Sequence, residues 1–254
     1  MDTFEKIVRK TGQAIAEYRM IEAGDRIAVG LSGGKDSMVL MHALAELQQR
    51  APIRFELKAF TFDPGFEGFN AHAIAEYAQS QGWPHQVIPL DVKNILLDKN
   101  AQSHPCVLCS RLRRGLLYTT AMKSGCGKLA LGQHLDDICI SLLISLSRGH
   151  GMFTMGPNVP AVGKPVRVIR PLCFVPEAMI ENTKSEFAFP DSGRCEYKDQ
   201  LEADGDRAYF KRLLAEMSAR IPEVRQNMLA ALRNVKPELL LDPKYLNFGS
   251  ETAD

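Results

Sequence analysis

The sequence predicts an α/β fold: a five-stranded, mostly parallel sheet with helices on both faces, an N-terminal helix and a C-terminal helical extension. Two observations predict this class. Short apolar segments typical of buried strands alternate with helical patterns along most of the chain. Parallel strands need crossover connections, and the helical segments between the predicted strands are long enough to supply them.

The predicted elements follow one another along the chain. A helix is predicted over 3–20, where Phe4, Ile7 and Ile15 belong to an apolar stripe. Strands are predicted at 26–31, 53–62, 85–90, 129–132 and 166–170. Helices ending near 49 and 147 follow the first and fourth strands, and others are predicted at 68–82, 107–123, 176–187, 205–219 and 222–234. Residues 149–165, rich in Gly and Pro, are expected to form a mobile loop.

Composition and charge exclude some classes of protein. The hydrophobic fraction of 45% and the charged fraction of 24% are those of an ordinary globular protein. No uncharged apolar stretch reaches the length of about 18 residues that a membrane span needs, and the first residues are acidic where a signal peptide is basic. We therefore expect a cytoplasmic protein. Its net charge of +1 is too small to indicate nucleic-acid binding by itself.

The hexapeptide Ser32–Ser37, which reads SGGKDS, is the strongest local signal. It follows an apolar strand and precedes a helix, so its backbone N–H groups and the helix N-terminus converge on one point, as a phosphate site requires. It is not a Walker A loop, because Lys35 is followed by Asp36 rather than by Ser or Thr. The hexapeptide therefore predicts a phosphate site of a different type.

A second polar segment, Gly132–Asp137, follows the fourth strand and reads GQHLDD. Its two acids could simply complement the positive N-terminus of the next helix. With a phosphate ligand nearby, Asp136 and Asp137 could instead join Asp36 in binding Mg²⁺, which prefers carboxylate and phosphate oxygens. His134 has two readings as well, as a packed interior histidine or as a phosphate contact.

Cys106 and Cys109 form a C-x-x-C pair, the third signal. Such a pair suggests a thioredoxin-like redox site or half of a zinc site. Neither fits well, because no second C-x-x-C is present and the strand pattern is not that of thioredoxin. Three other cysteines stand in apolar or helical segments and are expected to be small buried hydrophobic residues: Cys126, Cys139 and Cys173.

Taken together, the three segments resemble a known family. SGGKDS resembles the PP-loop of the ATP-pyrophosphatase superfamily, and GQHLDD resembles the second motif of its RNA-modifying members. Residues 105–115, PCVLCSRLRRG, resemble the signature of the tRNA 2-thiocytidine synthetases. The resemblance implies a Rossmann-like PP-loop domain over 25–190, preceded by an N-terminal helix at 1–24 and followed by a helical region at 191–254.

The resemblance also implies a reaction. ATP would adenylate the C2 oxygen of a tRNA cytidine with release of pyrophosphate, and a sulfur carried on the open iron of a [4Fe–4S] cluster would displace AMP. Cys106 and Cys109 would be cluster ligands. Cys195 is the best candidate for the third, although the segment Phe189–Tyr197 lacks the Pro-Cys-x-x-Cys element that the family places here. The implied partners are tRNA and a cysteine desulfurase or other sulfur donor, and a homodimer is possible.

Roles are expected for the following residues on the same basis. Catalytic roles fall to Asp36, Asp137 and Arg113, the last one helical turn beyond Cys109. Mg²⁺ is expected at Asp36, Asp136 and Asp137. ATP contacts are expected from Leu31, Ser32, Gly33, Gly34, Lys35, Asp36, Ser37, Phe62, Gly132 and His134.

Two alternatives stay open at this point. The protein could thiolate or desulfurate another base or a small molecule. It could also be a non-catalytic protein that binds a nucleotide or a cluster, although the presence of Lys35, Asp36, Asp136 and Asp137 argues against lost turnover.

Overall fold

The computed structural model describes residues 2–90, 92, 105–193 and 205–246, except for the side chains of 105–111 and 184. Cys195 lies outside these residues. One sheet organises the described part of the chain, and its strands run in the order β3-β2-β1-β4-β6-β5. Their bounds are β1 Arg26–Gly30, β2 Glu56–Asp63, β3 His85–Pro89, β4 Lys128–Ala130, β5 Asn158–Pro160 and β6 Arg167–Ile169.

The mostly parallel sheet is confirmed, but it has six strands rather than five. The additional strand is β5, which pairs antiparallel with β6 at the sheet edge, within the segment predicted as a loop. Only three residues long, it is too short to show an alternating pattern. It also ends in Pro160, a residue that an edge position tolerates because no neighbouring strand needs its N–H.

The helices lie close to their predicted positions. They are α1 Thr3–Glu17, α2 Lys35–Arg50, α3 Ala71–Ser80, α4 Pro105–Lys123, α5 Leu135–Ser147, α6 Glu177–Asn182, α7 Asp206–Arg220 and α8 Val224–Arg233. The helix predicted over 176–187 ends early, at Asn182, and a 3₁₀ turn over Thr183–Ser185 follows it. None of the described helices is long and apolar enough to cross a membrane.

Two apolar layers cover the sheet. The larger one packs α1, α2 and α6 against one face and includes the fully buried Ile7, Met38 and Ile180. The smaller one packs α4 against the other face and includes Phe60 and Leu129. The chain order reverses between β1 and β4, which are adjacent and parallel. Ligands of open α/β sheets bind beyond the carboxyl ends of the strands at such a reversal.

A third apolar cluster joins the C-terminal helices to the sheet domain. Leu135, Cys139 and Ile140 of α5 pack against Phe210 and Leu214 of α7, and Val224 of α8 completes the cluster. The predicted burial of the three cysteines outside the C-x-x-C pair is confirmed, since Cys126, Cys139 and Cys173 are all buried. The cluster fixes the position of α7 relative to the loops that follow β1 and β4.

Replacing Leu214 with alanine should test how strongly α7 is attached. Leu214 is 1% exposed, so the change leaves a cavity and should lower the free energy of unfolding by about 2–5 kcal/mol. Urea denaturation followed by circular dichroism measures the effect. Leu239→Ala is the control, because Leu239 is 72% exposed and its truncation should cost about 0.5 kcal/mol or less. Equal effects of the two changes would show that α7 is not part of the cooperative core.

Candidate functional site

A cavity of about 470 Å³ opens at the carboxyl ends of β1 and β4. One end is apolar, because Phe60, Phe62, Leu117 and Leu131 of the wall belong to one apolar cluster. The other end is polar and contains Ser32, Ser37, Asp36, Asp137 and Arg207. This division suits a ligand with an aromatic body and a charged tail.

Ser37 holds the loop between β1 and α2 in shape. Its hydroxyl donates to the carbonyl of Gly34 at 2.9 Å and accepts from the N–H of Ser32 at 3.0 Å. The two serine hydroxyls are also 3.0 Å apart. Because both ends of the turn are tied to one side chain, the loop keeps a single curvature at the start of α2.

Glycine is required at two points of this site. Gly33 has a φ of +77°, and a Cβ there would lie 2.3 Å from the Cβ of Ser192. At Gly132, in the loop after β4, a Cβ would lie 2.9 Å from the carbonyl carbon and oxygen of Asp36 and from the N of Ser37. The loop after β4 therefore touches the backbone of the first turn of α2.

Three ionisable side chains meet at the polar end of the cavity. The Nε2 of His134 lies 3.6 Å from Oδ2 of Asp137 and 3.8 Å from Oδ1 of Asp36. Asp137 caps α5 by accepting the backbone N–H of His134 at 3.1 Å, and its Oδ1 pairs with Arg207. Oδ1 of Asp36 is buried and accepts no hydrogen bond from any described residue. Burial raises the pKa of the Asp36 carboxyl, although His134 and Lys35 partly oppose the shift.

Arg113 reaches the same cavity from α4, one turn before Leu117. The positions of Cys106 and Cys109 are seven and four residues before Arg113 on this helix, so the helical repeat places all four positions on one face. At 1.5 Å per residue, Cys109 is about 6 Å from Arg113 along the helix axis. The side chains of both cysteines lie outside the described part of the structure.

Known proteins are similar to this chain in sequence, in fold, or in both. A profile of the PP-loop domain matches residues 4–189. Two curated tRNA-cytidine(32) 2-sulfurtransferases match almost end to end. The protein of Syntrophotalea carbinolica is 38% identical over 99% of this chain and 97% of its own, and that of Geobacter sulfurreducens is 42% identical over 94% and 93%. The chain belongs to the tRNA-cytidine 2-sulfurtransferase family of PP-loop proteins.

The fold also resembles that of a solved tRNA thiolase. The U34-tRNA thiolase NcsA from Methanococcus maripaludis, determined with its [4Fe–4S] cluster, superposes with a TM-score of 0.74 over 92% of this chain and 80% of its own. The two sequences are only 20% identical, so the likeness establishes the architecture alone.

The structure brings most of the residues predicted for the PP-loop site to one cavity, but not all of them. The wall includes Leu31, Ser32, Asp36, Ser37, Phe62, Arg113, Gly132 and Asp137. The residues Gly33, Gly34, Lys35, His134 and Asp136 are not in the wall. His134 is 3% exposed, and its Nε2 contacts the carboxylates of Asp36 and Asp137 without lining the cavity.

Asp136 points away from its neighbour Asp137. Its Oδ2 accepts the backbone N–H of Glu177 at 2.7 Å, and its Oδ1 pairs with Arg225 of α8. Both oxygens are therefore engaged by protein groups outside the cavity. Mg²⁺ binding by Asp136 stays a prediction, and its contacts instead connect α5 with α6 and α8.

Lys35, the lysine of the PP-loop, is held by acidic side chains and does not line the cavity. Nζ of Lys35 is 2.8 Å from Glu181, 3.0 Å from Glu177 and 3.6 Å from Asp36. Glu177 in turn pairs with Lys211 of α7 at 2.8 Å. Although burial opposes the shift, the hydrogen bonds from Lys211 and Lys35 lower the pKa of Glu177 to about 2. ATP contact by Lys35 stays a prediction.

Sequence reasoning missed Arg207, Arg225 and Glu177. Each meets the GQHLDD segment from a distant part of the chain, and none belongs to a local motif. Their nearest signals were the helical patterns of 176–187, 205–219 and 222–234, which predicted helices but not the partners of those helices.

Gly132→Ala should damage the PP-loop site while leaving the fold intact. The new Cβ would meet rigid backbone of Asp36 and Ser37, so the loop after β4 must move away from the first turn of α2. We expect ATP affinity, measured by isothermal titration calorimetry, to fall by about 10-fold or more. Gly115→Ala is the matched control. Its Cβ would have no atom within 4 Å, and the helix should gain up to about 1 kcal/mol of stability. Undiminished ATP affinity in Gly132→Ala would contradict the required loop contact.

Proposed function

We propose that this protein uses ATP to convert cytidine 32 of tRNA to 2-thiocytidine. The observation that carries the proposal is the arrangement of the cavity. The PP-loop, Arg113 and two carboxylates, those of Asp36 and Asp137 (the acid pair), share one space. Arg113 also stands on the helix that bears Cys106 and Cys109. The enzyme type, a tRNA sulfurtransferase, follows from the family. The position within tRNA is the one that the names of its relatives specify.

ATP fits the two ends of the cavity in one orientation. The apolar end, between Phe62, Leu117 and Leu131, accepts the adenine ring. The phosphate chain then extends along the PP-loop toward the start of α2, where N–H groups and the helix dipole favour negative charge. This orientation places the α-phosphate between the apolar wall and the acid pair.

Asp36 and Asp137 are the residues that would bind Mg²⁺. The buried Oδ1 of Asp36 lacks a hydrogen-bond donor among the described groups, as expected of an atom reserved for a cation. No group of three or more potential ligand side chains is found in the described part of the chain. Mg²⁺ takes one or two carboxylates and completes its shell with phosphate oxygens and water, so these two residues suffice as its protein ligands. The ion would neutralise charge on the phosphate chain.

The first chemical step is adenylation. The C2 oxygen of cytidine attacks the α-phosphorus, an O–P bond forms, and the bond to the β-phosphate oxygen breaks with release of pyrophosphate. Arg113 is suited to stabilise the charge that accumulates on the α-phosphate oxygens, because its guanidinium lines the cavity. Once adenylated, the C2 oxygen is a better leaving group because it departs as part of AMP. Sulfur can then replace it: a C–S bond forms and the C–O bond to AMP breaks.

A [4Fe–4S] cluster held by Cys106, Cys109 and Cys195 would supply the sulfur-handling chemistry of the second stage. Three thiolates suit iron and leave one iron without a protein ligand. Two features of the described residues support this ligand set. The positions of Cys106 and Cys109 share a helix face with Arg113, and Ser192 and Gly193, just before Cys195, lie against Gly33 and Gly68. The sulfur donor and a homodimer remain predictions.

The activity can be tested with purified protein under anaerobic conditions. With ATP, Mg²⁺, sulfide, a reductant and a tRNA transcript, we expect 2-thiocytidine at position 32, detected by mass spectrometry of the nucleosides. Asp36→Asn should lower the rate by about 100-fold or more, because the cation loses its carboxylate. Asp242→Asn, at an exposed carboxylate, should not. Thiolation of another base, or none, would contradict the proposal.

The cluster ligands can be tested separately. The anaerobic protein should be brown and contain about four irons per chain. Serine at Cys106, Cys109 or Cys195 should remove the visible absorbance. Serine at Cys139 should retain it, because that thiol is buried among apolar residues of α5 and α7. An intact cluster in Cys195→Ser would show that Cys195 is not a ligand.

A further inference from the structure

One residue of the C-terminal helices enters the cavity. Arg207 is the contribution of α7 to the wall, and the other described wall residues all lie between 30 and 137. Arg207 also lies beyond the end of the PP-loop domain match at residue 189. The cavity is therefore completed from outside the segment that carries its motifs.

Arg207 is firmly positioned at the start of α7. That helix begins at Asp206, whose carboxylate pairs with Arg148 just after α5, and its buried Phe210 and Leu214 pack against α5. One turn later, Lys211 pairs with Glu177 of α6. These contacts anchor the backbone around Arg207 on two sides of the site.

The contact with Asp137 does not use all the N–H donors of the Arg207 guanidinium. It pairs with Oδ1 of Asp137 through Nη2, yet its side chain is 58% exposed, whereas that of Asp137 is 6% exposed. An arginine carries five N–H donors in a planar fork. A pair of this geometry leaves donors at the cavity wall, where a second anionic group can bind.

A contact between Arg207 and a phosphate would offset the negative charge at the polar end of the cavity. Two carboxylates, Asp36 and Asp137, would repel a phosphate chain. The ammonium of Lys35 is held by Glu177 and Glu181 and lies 3.6 Å from Asp36, but Lys35 is not in the wall. Among the described side chains, Arg207 is the cation of the cavity wall that pairs with Asp137.

We propose that Arg207 binds the β- and γ-phosphates of ATP and stabilises the pyrophosphate that leaves. The inference rests on the proposed function, because it assumes that ATP occupies the cavity with its phosphates at the polar end. The guanidinium lies beside Asp137 rather than beside the apolar wall, so it meets the tail of the nucleotide and not its base. Planar arginine suits two phosphate oxygens at once.

The test compares ATP with AMP. In isothermal titration calorimetry with Mg²⁺, Arg207→Ala should bind ATP about 10- to 100-fold more weakly, while AMP affinity changes by less than about 2-fold. Arg207→Lys keeps the charge but loses the fork, so its ATP affinity should lie between the two. Arg212→Ala, on the exposed side of the same helix, is the matched control and should bind both nucleotides like the wild type.

A second comparison separates phosphate binding from support of Asp137. In an Asp137→Asn background, titrated without Mg²⁺ so that loss of a proposed ion ligand does not affect the comparison, Arg207 no longer pairs with a carboxylate at position 137, yet its replacement by alanine should still weaken ATP binding by about 10-fold. Loss of the effect in that background, or equal effects on ATP and AMP, would overturn the inference alone. Failure of the wild-type protein to bind ATP would contradict the proposed function and this inference together.

Discussion

The backbone contact between Gly132 and the Asp36–Ser37 peptide is the constraint on which the site depends. It joins the first turn of α2, the helix after β1, to the loop after β4, and these two parallel strands are neighbours in space but about 100 residues apart in sequence. Only a residue without a side chain allows this approach. Because this loop touches α2, the phosphate turn and the carboxylates of Asp36 and Asp137 share a common cavity, and Ser37 fixes the curvature of the turn.

Around that contact the carboxylates are distributed among partners on different elements. Asp137 pairs with Arg207 of α7, Asp136 with Arg225 of α8, and Glu177 with both Lys35 and Lys211. Buried carboxylates are costly unless they are paired, so these contacts allow acidic groups to stand close together. They also make the C-terminal helices part of the site rather than an appendage to it.

Local patterns allowed much of this to be predicted. The helices and most strands show strong periodicity, and the turn Ser32–Ser37 and the segment Gly132–Asp137 are each contiguous, so the sequence indicated them directly. The short edge strand β5 has no such pattern. Arg207 and Arg225 meet their aspartates across separations of 70 and 89 residues, and no local signal records contacts of that range. The orientation of the Asp136 side chain could not be predicted either, because its partners Glu177 and Arg225 are distant in sequence.

The pairing of two adjacent aspartates with two successive C-terminal helices has a consequence for synthesis. A growing chain is made from its N-terminus, and the sheet with its phosphate turn can form first. Until α7 and α8 have been translated, however, Asp136 and Asp137 lack their arginines, and the cavity lacks one wall residue. The cavity therefore acquires its full set of described wall residues only after α7 has been translated.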